Sequence, residues 1–495
     1  MKRFTALLLS LVMMLSSVIL LASCNEEEAP DTDPIVTPQG DKTFAEGDIF
    51  EERAAVDDEL PEYDFEGRTF RIAGHKTSDF YPDPESANKG NLIVDAMVSR
   101  TTTAENRFNF VLKPVFTGGT SEVADWVSKT VLSGSDEFDL LVHHVMASAG
   151  IVSKNLFLNW YDIPNVDFSK PWWAASTSDE LTYDGKCIFA ISDFNYSAVA
   201  CTYCLIFNKN LANSYDLGNL YEVVESGDWT YDYFYDLIKD VYTDNDGDGE
   251  KSAGDFYGMI QGDANQLNQW LYAFDNPIMR KNEEGVPTLA FKSDKINNII
   301  QTLYDYCFNT QGVCYGVDLE KAGSSFTDMF LSKKGIFGVV TLGELTATNY
   351  RNFDDEYGIL PLPKFNEAQD DYHTLAYGEH TILAVPKTVK DTEFVGTCIE
   401  ALSAESYKQV IPTFYEIALK TRYLRDNESK KMLDIIINNR LFDFGYVYDG
   451  FKGFAYTLND MFSSGSSNFE SYYSREYTSV RSHFKVIIKA FDKLS

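Results

Sequence analysis

The stretch GRTFRIAGH, Gly67 to His75, decides the fold. Phe70 and Ile72 alternate as on a half-buried strand, and NLIVDAMVSRTTTAENRF (91–108) follows with Leu92, Ala96, Ser99 or Arg100, Ala104 and Phe108 at helical spacing. FNFVLKPV (108–115) alternates again through Phe108, Phe110 and Leu112. SEVADWVSKTVL (121–132) puts Val123, Val127 and Val131 on one helical face, and FDLLVHHV (138–145) is a short continuous apolar run. Strand, helix, strand, helix, strand demands crossover connections and hence a parallel sheet. Ligands of such sheets sit beyond the carboxyl ends of the strands. The residues that follow the first and third strands are Gly74, His75 and Lys76, and His143 and His144, so topology nominates His75 and His143 for a pocket.

Downstream, KCIFAIS (186–192), CTYCLIFNK (201–209) and GIFGVVT (335–341) read as strands and KINNIIQTLYDYCF (295–308) as a helix, which calls for a second α/β lobe. HTILAVP (380–386) is again strand-like and is followed by the helical TEFVGTCIEALSAESYKQV (392–410), so the chain is expected to return to the first lobe late. The last hundred residues look chiefly helical, and no internal repeat is present. A body of this size, rich in Phe and Tyr, exceeds one core and predicts two domains.

The N-terminus sets the address. Lys2 and Arg3 precede an apolar run that stops at small residues, the pattern of a secretory signal rather than of a membrane span, since no basic stop follows. Leu21 to Cys24 resembles the lipobox of bacterial lipoproteins, in which the cysteine is lipidated and becomes the mature N-terminus. Residues 25–60 are acidic, dotted with proline and nearly free of aromatic residues, which predicts a disordered tether. A formal charge of −33 argues against nucleic acid and polyanions as partners. Six cysteines lie beyond Cys24; the one CxxC, Cys201 and Cys204, falls on a strand whose pleat points the two thiols apart, so buried free thiols are expected.

Asp244 to Gly258 reads DNDGDGEKSAGDFYG. Asp244, Asp246, Asp248 and Asp255 occupy positions one, three, five and twelve of a calcium-type loop, with Gly249 at the sharp turn and Glu250 offering its backbone carbonyl. The loop is single and has Asp where sensor loops have a bidentate Glu. A solvated acidic turn without metal is the alternative.

Several segments together resemble, in their order, the extracellular solute-binding lipoproteins of bacterial ABC importers, the sugar-binding family especially. They are the lipobox, the tether, PWWAAS (171–176), DGKCIFAISDFNYSAVACTYCLIFNKNLA (184–212), DNDGDGEKSAGDFYGM (244–259), YGILPLPKF (357–365) and HTILAVPKTVKDTEFVGTCIEALSAES (380–406). The similarity runs from Met1 to about Arg440. It implies a type II periplasmic-binding-protein-like fold: two α/β lobes joined by crossing hinge strands, here with a helical C-terminal part. Residues 1–24 would be the signal peptide, 25–60 the tether, 61–198 with 379–425 lobe 1, and 199–378 with 426–495 lobe 2. The implied function is capture of a small ligand, a sugar or oligosaccharide, by lobe closure and its delivery to an ABC permease. The protein would be a monomer, lipid-anchored on the extracellular face of the cell membrane, with Ca2+ as a structural staple of the second lobe.

A neutral sugar needs flat aromatic faces and planar polar side chains. By the resemblance, Trp172 and Trp173 precede the first crossing strand, and Asp193, Asn195 and Tyr196 fall where the chain crosses. Gln261 and Trp270 match a second-lobe platform, Glu344 follows the strand that presents a second-lobe contact, and Glu379 and His380 precede the returning strand. Core packing is the alternative for the tryptophans and a hinge role for 193–196. No GxSxG, HExxH, P-loop or GxGxxG is present, and carboxylate pairs are expected by chance in so acidic a chain, so catalysis is not supported. The rival reading is a secreted surface glycosidase or polysaccharide-degrading enzyme.

Overall fold

The computed structural model describes residues 49–75, 81, 91–174, 180–262, 264–316, 325–420, 427–450 and 452–494. The signal segment, Cys24, the tether up to residue 48 and Lys76 lie outside the described residues. The chain runs through α1 (Ile49–Ala54), β1 (Arg68–Gly74), α2 (Leu92–Phe108), β2 (Phe110–Phe116), α3 (Thr120–Leu132) and β3 (Leu140–His144). It continues through β4 (Tyr203–Asn208), β5 (Phe256–Gln261), α4 (Gln269–Ala273), α5 (Ile296–Phe308), β6 (Val313–Tyr315), β7 (Gly335–Thr341) and β8 (Tyr357–Leu360). It ends with β9 (Thr374–Leu375), β10 (Thr381–Ala384), α6 (Thr392–Glu405), α7 (Ile411–Lys420), α8 (Asn427–Asn438), β11 (Arg440–Leu441) and α9 (Phe469–Asp492).

Lobe 1 is built on the sheet β10-β3-β1-β2, in which β1 runs parallel to both β2 and β3 and the late strand β10 is antiparallel to β3. The βαβαβ pattern is therefore realised. Asn91 caps α2 by accepting from Val94 N, and Asn109 ends it in the left-handed conformation. The buried face of α2 is Ile93, Met97, Arg100, Thr101, Ala104 and Phe108 rather than the register through Leu92 and Ala96; Leu92 is 52% exposed. The face is rotated because Arg100 is drawn inward, donating to Phe194 O and Ser406 Oγ and lying over the Phe194 ring. Lobe 2 is built on β6-β5-β7-β4-β8, with β5 parallel to β6 and β7, and β4 antiparallel to its neighbours.

Two boundaries differ from expectation. Residues 49–60 fold onto lobe 1 instead of continuing the tether. Arg53 in α1 donates to Tyr407 O at 3.2 Å and lies 4.3 Å above the Tyr407 ring, Asp58 pairs with Arg107, and Leu60 is buried. The C-terminal helix α9 belongs to both lobes. Its start pairs Glu470 with Lys292 and Asn297 of lobe 2, while Phe491 near its end accepts from Lys186 Nζ and packs on Tyr183 of lobe 1. At about 1.5 Å per residue such a helix of 24 residues spans about 36 Å, enough to reach across both bodies.

The lobes are joined by segments 193–202 and 376–381. Thr202 bridges Ala376, Tyr377 N donates to Cys201 O, and Thr381 N donates to Ser197 Oγ. The strand pair β9 and β11 lies beside them, with Arg440 donating to Ala198 O at 3.0 Å. None of the six described cysteines is in a disulfide; five are buried and Cys201 is half-buried.

Candidate functional site

The carboxyl ends of β1 and β3 and the start of β10 bring His75, His143, His144, Glu379 and His380 to one end of the lobe 1 sheet. His75 Nδ1 lies 3.2 Å from His143 Nδ1. His143 Nε2 lies 2.9 Å from Thr120 O; a carbonyl only accepts, so Nε2 carries the proton and Nδ1 offers its lone pair. By the same logic His380 donates from Nδ1 to Tyr377 O at 2.7 Å, leaving the lone pair on a buried Nε2 that has no partner among the described residues. His144 accepts at Nδ1 from Ala147 N and points Nε2 at Glu379, 3.6 Å away. Burial, then the neighbouring imidazole of His75, pushes His143 down to about 3; burial takes His380 to about 4. Both are neutral at physiological pH. Glu379 is held below the usual range by its contact with His144, and its side chain is 62% exposed.

Tyrosines surround this rim. Tyr377 is half-buried with its ring 5.5 Å from that of Tyr203, and Tyr446 Oη accepts from Gly378 N. A Cβ at Gly378 would stand 2.9 Å from that oxygen and 3.3 Å from Met146, so a larger residue would have to push those side chains aside. Tyr456 is half-buried, and after burial its phenol feels Tyr377, Asp449 and Glu379. Ser148 Oγ, Gln261 Nε2 and both polar atoms of the Gln269 side chain are buried without partners among the described residues. Gln261 ends β5 and Gln269 begins α4, which packs on β9 next to the crossing segment. Such atoms suit ligand hydroxyls or water.

The tryptophans are elsewhere. Trp172 and Trp173 are in the lobe 1 core, their indole nitrogens donating to Glu400 Oε1 and Oε2 at 2.9 Å each. Trp270 is in the lobe 2 core among Phe234, Phe274 and Tyr306, and donates to Gln261 Oε1, which also accepts from Tyr306. Their polar atoms are satisfied inside and their rings fully packed, so none presents a face to a cleft. Asn195 is a staple of the hinge, accepting from Ser192 N and donating to Thr381 O. Tyr196 packs on Phe414. Asp193 is pushed up to about 7 by burial, against the pull of Arg53 and Arg440. Glu344 closes the turn after β7, accepting from Thr341 N and Oγ1. Tyr377, two residues before Glu379 beside a glycine, was within reach of sequence reasoning; Tyr446, Tyr456 and Gln269 carry no local mark.

The acidic loop joins a short strand pair at the start of β5. Asp244, Asp246 and Asp255 each bring an acceptor atom within 4.8 Å of the others, a spacing that fits a calcium ion with oxygen ligands about 2.4 Å away. Asp255 is fully buried and accepts from Asn245 N and Ser252 N; Asp244 accepts from Gly247 N and Gly249 N. Asp248 and Glu250 stand outside this trio, Asp248 accepting from Glu250 N. Gln261 lies six residues beyond Asp255 along β5, which at about 3.3 Å per residue is about 20 Å.

No protein-family model matches the chain, and no curated protein matches it in sequence. Solved structures match in fold. A cyclo/maltodextrin-binding protein complexed with maltotetraose is similar over 87% of this chain and 98% of its own, at TM-score 0.52 and 11% identity. A sugar transporter from Rhizobium etli in an open conformation matches over 86% and 100% at 0.51 and 12%. The maltose-binding periplasmic protein of Listeria monocytogenes in complex with maltose matches over 86% and 99% at 0.50 and 13%. The fold is that of the periplasmic binding proteins. The histidines and Glu379 gather where ligands of open α/β sheets bind, beyond the carboxyl ends of β1 and β3. Among the described residues no helix is long and apolar enough to cross a membrane.

Proposed function

We propose that the chain captures a neutral sugar or oligosaccharide between its lobes and hands it to an ABC permease, without turning it over. The observation that carries this reading is the composition of the lobe 1 rim: half-buried Tyr377 and Tyr456 beside imidazoles that are neutral at physiological pH and one exposed carboxylate. Tyrosine faces match the C–H surface of a pyranose, and imidazole and carboxylate acceptors match its hydroxyls. The sugars held by the similar solved structures support the same class of ligand. Ligand contacts to both lobes favour the closed state, whose shape the permease would read. Lipid on Cys24 would hold the protein at the outer face of the membrane.

A melting-temperature screen with maltose, maltotetraose, tagatose and other neutral sugars tests the reading. A ligand that binds only the folded state adds about 2.7 kcal/mol at a hundredfold excess over Kd. At least one neutral sugar should raise the melting temperature, and no reducing ends should appear from oligosaccharides. Turnover would favour the hydrolase instead.

In the same reading Asp244, Asp246 and Asp255 hold Ca2+ as a staple of the loop. The support is the convergence of three carboxylates whose backbone turns are already set by their own N–H partners. The distance to Gln261 argues for a structural ion rather than one coupled to capture.

A further inference from the structure

The chain has six histidines, and His75, His143, His144 and His380 all lie at the same end of the lobe 1 sheet. A sugar site needs hydrogen-bonding groups of many kinds; it does not need two imidazoles with their Nδ1 atoms turned on each other. The 3.2 Å between His75 Nδ1 and His143 Nδ1 is a hydrogen bond in the metal-free protein, with His75 donating. It is also close to the separation of two ligands on one tetrahedral ion, about 3.3 Å for nitrogens about 2.05 Å from zinc, so a metal would replace one proton. His143 is fully buried, and its remote nitrogen donates to Thr120 O. That arrangement fixes the tautomer and aims Nδ1, which is how proteins hold a metal-binding imidazole. His75 is half-buried at the end of β1, with its ring 5.2 Å from that of His143. Glu379 stands beside His144 with most of its side chain in solvent, so it can turn without disturbing the core.

We propose that His75 and His143 hold a divalent transition-metal ion of the Zn2+ or Co2+ class at the rim of lobe 1, with Glu379 turning in as the third protein ligand. Imidazole nitrogens select such ions over calcium, which takes oxygen ligands. The two cation sites therefore divide by chemistry: carboxylates in the lobe 2 loop and imidazoles in the cleft. Three protein donors leave a coordination position open to water or to an oxygen of a molecule in the cleft. The site shares His143 and Glu379 with the rim described above, but the ion would bind the ligand-free protein, so its test stands whether or not a sugar binds.

The test is a calorimetric Zn2+ titration of chelator-treated full chain in excess Ca2+ and without sugar, with Co2+ absorption as a spectroscopic readout. Wild type should bind one Zn2+ and give the visible bands of tetrahedral Co2+ with nitrogen and oxygen ligands. His75→Ala should lose at least tenfold in affinity and those bands, with unchanged circular dichroism. Glu379→Gln, at an exposed side chain, should weaken binding and keep the fold, and it decides the matter if His75→Ala does not fold. Failure of wild type to bind Zn2+ saturably, or equal affinity in the variants, overturns the proposal.

Discussion

Replacing Glu400 with Gln should erase a large part of the pH dependence of stability. Glu400 is fully buried in α6, with Trp172 donating to one oxygen and Trp173 and Asp167 N to the other. Burial pushes its carboxyl from 4.5 up to about 8, against the indole hydrogen bonds that favour the ion. The native state therefore keeps the proton between those values while the unfolded chain releases it. Folding takes up a proton in that window, so stability is highest below pH 4.5, falls as pH rises, and levels off above about 8. Each tenfold step in proton affinity is worth about 1.4 kcal/mol, which sets a ceiling of about 5 kcal/mol on the loss from this one group. Gln is isosteric and never ionises, though its amide N–H₂ faces one indole and should cost about 1–3 kcal/mol at low pH. Urea unfolding at pH 5 and pH 9, followed by tryptophan fluorescence, gives the difference between wild type and E400Q at each pH. Distant buried acids such as Asp443 contribute equally to both proteins and cancel. The gap should change by several kcal/mol and reverse sign, with the variant the more stable at pH 9. A change below about 1 kcal/mol would mean that Glu400 is already ionised in the native state at about the pH where it ionises in the unfolded chain, and the account of the tryptophan pair as a sealed core would be wrong.

Tyr377→Ala should weaken sugar binding at least tenfold, about 1.4 kcal/mol, by calorimetry, whereas Trp172→Phe should lower the melting temperature and leave affinity unchanged. Chelation of calcium should lower the melting temperature of wild type but not of Asp246→Ala, and should not alter sugar affinity; a tenfold change in affinity would couple the loop to the cleft. Cys24→Ala should move the protein from the membrane to the soluble fraction, and retention at the membrane would exclude lipidation as the anchor.

The two-lobe architecture was legible because its signals are local. Alternation through Phe70 and Ile72, the valine stripe of α3 and the late strand HTILAVP each state their secondary structure within ten residues, and crossover rules do the rest. The same logic put His75 and His143 at neighbouring strand ends, since the end of a parallel strand is fixed by the strand itself. Departures came where a distant element decides. Residues 49–60 look like tether until Tyr407 supplies a face for Arg53. The register of α2 turns on a cation that burial should exclude, and that is tolerated because Phe194 O and Ser406 Oγ receive it. The spread of α9 over both lobes rests on Glu470 and Phe491 finding different partners, which amphipathic spacing alone does not specify.

Aromatic residues show the limit most clearly. A tryptophan beside a predicted crossing and a tyrosine beside it offer a sugar the same kind of surface, and nothing in their neighbours says which will be covered. What covers Trp172 is Glu400, 228 positions away, and what covers Trp270 is a ring of Phe234, Phe274 and Tyr306 closed by Gln261. In both places an indole N–H has found an internal acceptor, so the ring can be sealed without an unsatisfied donor. Tyr377 escapes that fate because its backbone is committed to the hinge: its N–H pairs with Cys201 O, its carbonyl is held by His380, and Gly378 lets Tyr446 close in behind. The chain crosses between lobes there, and the side chain stays half-buried, two residues before the exposed Glu379. Its place at the crossing, rather than ring size, therefore leaves Tyr377 less covered than Trp172 or Trp270.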